Sequence, residues 1–392
     1  MNVARLLALG RLVSLSGGSA AYIGLVAAIY GETGSAIWVS AAIFSSVIAS
    51  VASAPGAGWI GDRFDRRRVL IGSDIAAAVV SLAMAATATD AAALVVLLGV
   101  SSVAQSPFEP ASAAALPTLV PKADVPRANA LIAATSSAGY LLGPLLGGAV
   151  LGLGASPATL FAVDAGTFVA SAVLVILIRR PFGQGRTEEH PGALAGLRLI
   201  ARERRLRLPV LAGMVSLVGI GIADVASYPL SLRLDGGTAG YGGMTALLGG
   251  GGLLGAVLAG RVLRCGPVRV LAARCVTSAA GLGLAGAAPI LAVGLAGMAL
   301  AGAGRGLGDV AAITLIQARA PNEVRSRVFA AQDGAAHAAF SVSAFTGGLL
   351  VQLAGPHGAF ANRSSIRGRR RGPGQSHTLL RCLPHLPPTP TT

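Results

Sequence analysis

Along the 392 residues, apolar positions fall in runs of about 20, the length at which a helix crosses a bilayer core. Short stretches holding Arg, Asp, Gly and Pro separate them. Eleven spans are predicted, approximately at 12–30, 36–57, 69–88, 91–112, 130–152, 158–178, 209–231, 240–262, 269–287, 289–314 and 327–352. The fold class is therefore an all-α polytopic membrane protein. A longer polar segment, 179–208, lies between the sixth and seventh spans and is crowded with arginine. It divides the chain into an N-terminal half (1–180), a central loop (181–208) and a C-terminal half (209–361), followed by a tail (362–392). The first run has no small-residue cleavage site behind a short apolar core, so it reads as an uncleaved span.

Composition supports this reading. The chain is 53% hydrophobic and 12% charged, about half the charge of an ordinary soluble domain. Its mean hydropathy is +0.69. Soluble and disordered classes are poor fits. The 54 glycines suit close helix packing in lipid. The net charge of +15 does not signal nucleic-acid binding, because the cations lie in loops where they set topology. With the N-terminus inside, Arg63, Arg66, Arg67, Arg68, Lys122, Arg127, the central-loop arginines, Arg261, Arg264, Arg269, Arg274, Arg319, Arg325 and Arg327 are all cytoplasmic. The outer loops take only Arg233. This places a multi-pass protein in the plasma membrane with a cytoplasmic N-terminus. The three cysteines show no metal-ligand spacing, and no nucleophile–base pair is visible. No enzyme activity, cofactor or metal is expected.

The halves look like repeats. VPKADVPRANA at 120–130 matches APNEVRSRVFA at 320–330, Gly147-Gly148 recurs as Gly347-Gly348, and Glu109 recurs as Asp309. One offset of 200 residues relates all three, and duplicated halves are a common transporter plan. By that symmetry a twelfth span should begin near 357. Instead, after Phe360 the composition turns to Arg, Pro, Ser and Thr. CGN and AGC codons read one nucleotide later give small apolar residues, so a reading-frame shift near 361 is the expected cause. A natural polar tail is the alternative.

Two motifs carry the functional reading. Between spans 2 and 3 stands G58-W-I-G-D-R-F-D-R-R-R-V-L70. It resembles the loop 2–3 signature of the major facilitator superfamily, in Gly58, Asp62, Arg63, Arg66, Arg67 and Leu70. Asp65 replaces the usual glycine there, in a version similar to the macrolide- and siderophore-exporter branch. The resemblance implies two six-helix halves, the twelfth helix here lost. It also implies that Asp62 latches the halves together in the outward-open state, against the start of span 11 near Ser326–Val328. The second motif, G139-Y-L-L-G-P-L-L-G-G148, resembles the antiporter signature of the same family. Gly139, Gly143 and Gly147 share one helix face, and Pro144 loosens the helix. Gly148 closes the motif. Segments 108–131 and 161–168 are similar to the same exporters.

Ionisable residues inside spans are costly in lipid and face the protein interior. Asp74 and Glu109 are expected to brace the Arg-rich loop, and Asp164 to pack helices. Arg305 and Asp309, four apart, are expected to pair. Asp224, flanked by glycines and Tyr228-Pro229, is the proton-coupling candidate. His337 is a weaker one. Tyr22 and Tyr228 are substrate-contact candidates. Span 1 has no central carboxylate, where several drug antiporters of the family keep one.

The resulting expectation is a monomeric exporter of a small amphipathic, macrolide-like compound, driven by proton antiport with alternating access. Its partners are the substrate, protons and the bilayer. An importer or facilitator on the same fold, and a non-transporting remnant lacking its last helix, are the alternatives.

Overall fold

The computed structural model describes residues 3–121, 124–182, 203–262, 266–319 and 322–360. Residues 361–392 lie outside the described residues, as does the frame-shift question. The described residues form twelve helices. They are α1 (Val3–Thr33), α2 (Ala36–Arg63), α3 (Arg66–Ala86), α4 (Ala91–Gln105), α5 (Phe108–Leu119), α6 (Val125–Gly152), α7 (Pro157–Leu177), α8 (Arg204–Arg233), α9 (Gly237–Val262), α10 (Pro267–Gly286), α11 (Leu291–Arg319) and α12 (Asn322–Phe360). Ten spans are long and apolar enough to cross a membrane, and α12 adds a shorter apolar stretch, Ala338–Leu353.

Residue chemistry explains the turns. Asp65, the residue that departs from the common loop pattern, is the N-cap of α3 and accepts a hydrogen bond from the Arg68 amide at 3.2 Å. Asp90 caps α4 in the same way, from the Ala93 amide at 3.0 Å. Gly34, Gly154, Gly237 and Gly266 adopt positive φ at helix junctions, where a Cβ would be strained. The predicted fourth span is broken at Ser106-Pro107 into α4 and α5. Proline cannot donate to the helical ladder, so the break falls there.

In the N-terminal half, α1 packs between α6 and α7, and α3 packs on α7. In the C-terminal half, α11 packs against α9 and α10, and α8 against α12. The halves meet along two seams, α6 on α9 and α2 on α12. The largest core cluster includes Ile23, Leu25, Val26 and Ile29 of α1 with Val225, Ala226 and Tyr228 of α8, so both halves contribute to it.

Candidate functional site

The site grows from the glycine motif. A Cβ at Gly139 would stand 2.8 Å from Leu15 Cβ, one at Gly143 2.5 Å from Ser19 Cβ, and one at Gly147 2.8 Å from the Ala20 carbonyl oxygen. All three glycines seat α6 on α1, within one half. Gly148 faces the other way: a Cβ there would lie 2.8 Å from Gly242 Cα and 2.9 Å from the Thr238 carbonyl oxygen of α9. The Pro144 carbonyl oxygen also abuts Gly242. The motif thus has an inward stripe and a seam residue.

The second seam repeats the plan. Gly347 packs on Ile222 of α8, and Gly348 on Ala36 and Ser40 of α2. The Ser40 hydroxyl donates to the Ala344 carbonyl at 2.9 Å across the halves. Matching contacts pair Ala20 with Ile222 and Ser40 with Gly242, so in the first two helices of each half the equivalence runs at 202 residues. One pair of equivalents has exchanged its side chains. Gly143 meets Ser19, whereas Ser343 meets Gly221, with the hydroxyl now on the other helix.

At this same offset Tyr22 is the equivalent of Asp224, and the two touch. The Tyr22 hydroxyl donates to Asp224 Oδ2 at 2.5 Å, joining α1 to α8 across the halves. Both side chains are half-buried. Behind them, Tyr228 is 6% exposed and Tyr241 fully buried. The Tyr228 ring meets Tyr30 edge-on at 5.4 Å and Tyr241 at 5.3 Å. Tyr241 also lies within Coulombic reach of Asp224. Among the described residues its buried hydroxyl makes no hydrogen bond of normal geometry, although Thr245 of the same helix is in reach. Tyr22, Tyr228 and Asp224 were singled out from sequence, whereas Tyr30 and Tyr241 were not. The signal was there: of the chain's five tyrosines, Tyr22 and Tyr241 reach this acid, Tyr228 stands one turn along its helix, and Tyr30 meets Tyr228.

The other intramembrane charges form two clusters related by 200 residues. In the C-terminal half, Arg274 Nη1 lies 3.1 Å from Asp309 Oδ1, and Arg305 Nε lies 3.6 Å from Asp309 Oδ2. Arg305 is the cation whose field reaches Asp224. Arg274 corrects the loop assignment: it lies inside α10, 1% exposed, its side chain filling the space left by Gly308 while its backbone and Ser278 pack on Gly304. In the N-terminal half the equivalent positions are Asp74, Gln105 and Glu109. Asp74 is fully buried beside Ser171, Gln105 and Arg11. Glu109 pairs with Arg11 of α1, whose guanidinium also covers the Phe108 ring at 5.7 Å. Among the described residues, Arg11 of α1 is the cation that both acids meet. Arg66 and Arg67 of the Arg-rich loop donate to the Phe182 and Ile176 carbonyls near the end of α7. A guanidinium has enough donors to satisfy such orphan carbonyls, which ties the start of α3 to the end of α7. Asp164 accepts the Ser81 hydroxyl at 2.7 Å, linking α7 to α3.

Gly58 and Asp62 fall in the last turns of α2, and Arg63 ends that helix. The side chains of Asp62, of its expected partner Ser326–Val328 and of His337 lie outside the described residues.

Comparison with known proteins fits this architecture. Residues 7–263 match the family model of the Major Facilitator Superfamily. An "Uncharacterized MFS-type transporter", YfiS of Bacillus subtilis (strain 168), is 29% identical over 342 residues, covering 82% of this chain and 80% of its own. Among solved structures, the nucleoside transporter NupG superposes with a TM-score of 0.74 at 14% identity, covering 92% of this chain and 95% of its own. A bacterial homologue of the iron transporter ferroportin, in an inward-facing state, gives 0.68 at 16% identity, covering 89% and 91%. A D-xylose-proton symporter gives 0.66 at 15%, covering 90% of each chain. The chain belongs to the major facilitator superfamily and is a multi-pass membrane transporter.

Proposed function

We propose that the chain is a secondary exporter, trading a small amphipathic compound against protons at Asp224, in the macrolide-exporter-like branch to which its loop and glycine motifs are similar. The observation that carries this reading is the Tyr22–Asp224 hydrogen bond, an ionisable group at membrane depth bridging the halves. By helical rise, Tyr22 sits about 16 Å and Asp224 about 14 Å from the ends of their helices at the α1–α2 and α8–α9 turns. The cross-half contacts described above cluster toward that end. With the N-terminus cytoplasmic, as the arginine distribution favours, this is a state closed to the outside.

The contact suggests how exchange works. A compound reaching the half-buried acid from the cytoplasmic side displaces the Tyr22 hydroxyl. Loss of that cross-half bond favours the state open at the other end, since a ligand shifts the balance only through contacts that differ between states. A proton arriving from outside neutralises Asp224, releases the compound and allows the bond to Tyr22 to re-form; once the site faces the cytoplasm again, Asp224 loses that proton there and is a carboxylate for the next compound. Asp62, on the opposite end, supports the outward-open state in this scheme.

The test is transport in everted membrane vesicles with an acid interior. A panel of amphipathic fluorescent probes is offered, and accumulation should stop when the gradient is collapsed. Accumulation that survives collapse would remove the antiport assignment. Uptake only in right-side-out vesicles would reverse the direction.

A further inference from the structure

We infer that Asp224 and the tyrosines around it form a binding site for an organic cation. This rests on the exporter reading for its place in the cycle, and it names the class of compound that the site takes. Three observations converge. A carboxylate stands at membrane depth with a hydroxyl, not a cation, as its hydrogen-bond donor. Tyr22 and Tyr241 stand beside it, and Tyr228 and Tyr30 extend the aromatic cluster away from it, in a chain that is only 4% aromatic. Tyrosine faces attract cations through the ring quadrupole, and most strongly where water is excluded. Finally, the Tyr241 hydroxyl, with its residue at 0% exposure, makes no hydrogen bond of normal geometry among the described residues, and Asp224 and Thr245 are the polar side chains in its reach. A buried hydroxyl in that condition is free to turn to a better partner that enters beside the acid.

The surrounding charges are compatible with a cation. Arg305 faces Asp224 from α11, but its guanidinium is engaged with Asp309, which also holds Arg274. Arg274 is walled into the α10–α11 interface. Asp224 is thus the acid presented at the seam, and Tyr22 is the group that an incoming cation replaces. Tyr228 and Tyr241 form the back wall.

The experiment is equilibrium binding to the purified full chain in detergent, with no gradient present. The probes are tetraphenylphosphonium and tetraphenylborate, matched in size and shape but opposite in charge. The wild type should bind the phosphonium at least about tenfold more tightly, and Asp224→Asn should lose that preference. Tyr228→Phe keeps the ring and should stay within about twofold. Tyr228→Leu removes it and should weaken the phosphonium by about fivefold, with the borate unchanged. The tyrosine pair reads the site even where Asp224→Asn does not fold. Equal binding of the two probes, preference for the borate, or an unchanged Tyr228→Leu would each overturn the proposal. Failure here alongside proton-driven export of another probe would leave the exporter reading intact. Cation-selective binding without proton-driven transport would do the reverse.

Discussion

Gly147 and Gly148 are neighbours in sequence with opposite duties, and one added methyl separates them. A Cβ at Gly148 would lie 2.8 Å from Gly242 Cα and 2.9 Å from the Thr238 carbonyl oxygen, both in the other half. Optimal carbon contacts are ~3.5–4.0 Å, so the seam must open by a sizeable fraction of an ångström. Backbone on both sides cannot rotate away as a flexible side chain would. Overpacking of this kind costs about 1–3 kcal/mol, which shifts a two-state balance by about 5- to 150-fold. Because the strain exists only while the seam is closed, Gly148→Ala should populate the state open at the α1–α2 end. Gly147→Ala is equally crowded, with a Cβ 2.8 Å from the Ala20 carbonyl oxygen, but Ala20 belongs to the same half. That variant should lower thermal stability without opening the seam. The assay is pulsed electron-spin distance measurement between labels at Glu32→Cys and Ile290→Cys, both exposed positions flanking that end, in a background free of native cysteines. A longer-distance population should grow in Gly148→Ala and not in Gly147→Ala. Identical distance distributions in the two variants would refute the division of labour.

Other expectations follow from single contacts. Gly221→Ser should cost about 1–3 kcal/mol of stability, because its Cβ would stand 2.7 Å from the Phe340 carbonyl oxygen and collide with Ser343 Oγ. The double change Gly221→Ser with Ser343→Gly copies the arrangement of the other half and should recover part of that loss in a thermal melt; no recovery would count against the equivalence. Asp164→Ala strands the Ser81 hydroxyl and should cost about 1 kcal/mol, while the protein that remains folded transports normally; a selective loss of transport would give Asp164 a functional role. Asp62→Asn should abolish efflux with membrane insertion intact, and normal efflux by that variant would sink the latch.

The spans were legible because membrane thickness sets their length and lipid forbids exposed backbone. The seam was half legible. A repeat offset of 200 was visible in Gly147-Gly148, but the change to 202 in the first helices was not, since Gly- and Ala-rich helices carry little register information. That hidden change is what makes Tyr22 and Asp224 equivalents. Arg274 was read as a loop cation because charge is an outlier in a membrane helix. Its burial depends on the space left by Gly308 of α11, which a one-dimensional pattern does not display. Likewise, Glu109 finds Arg11 some hundred residues away through the packing of α5 near α1, a contact no local spacing encodes.

The central claim is that Asp224 couples the compound to protons, and gradient-driven accumulation in reconstituted vesicles addresses it most directly. Tetraphenylphosphonium is offered outside vesicles of acid interior, with protein inserted so that its cytoplasmic face points outward. Wild-type protein should concentrate the probe and acidify the exterior in step, while Asp224→Asn, inserted to the same level, should do neither. Undiminished, gradient-dependent accumulation by Asp224→Asn would contradict the account.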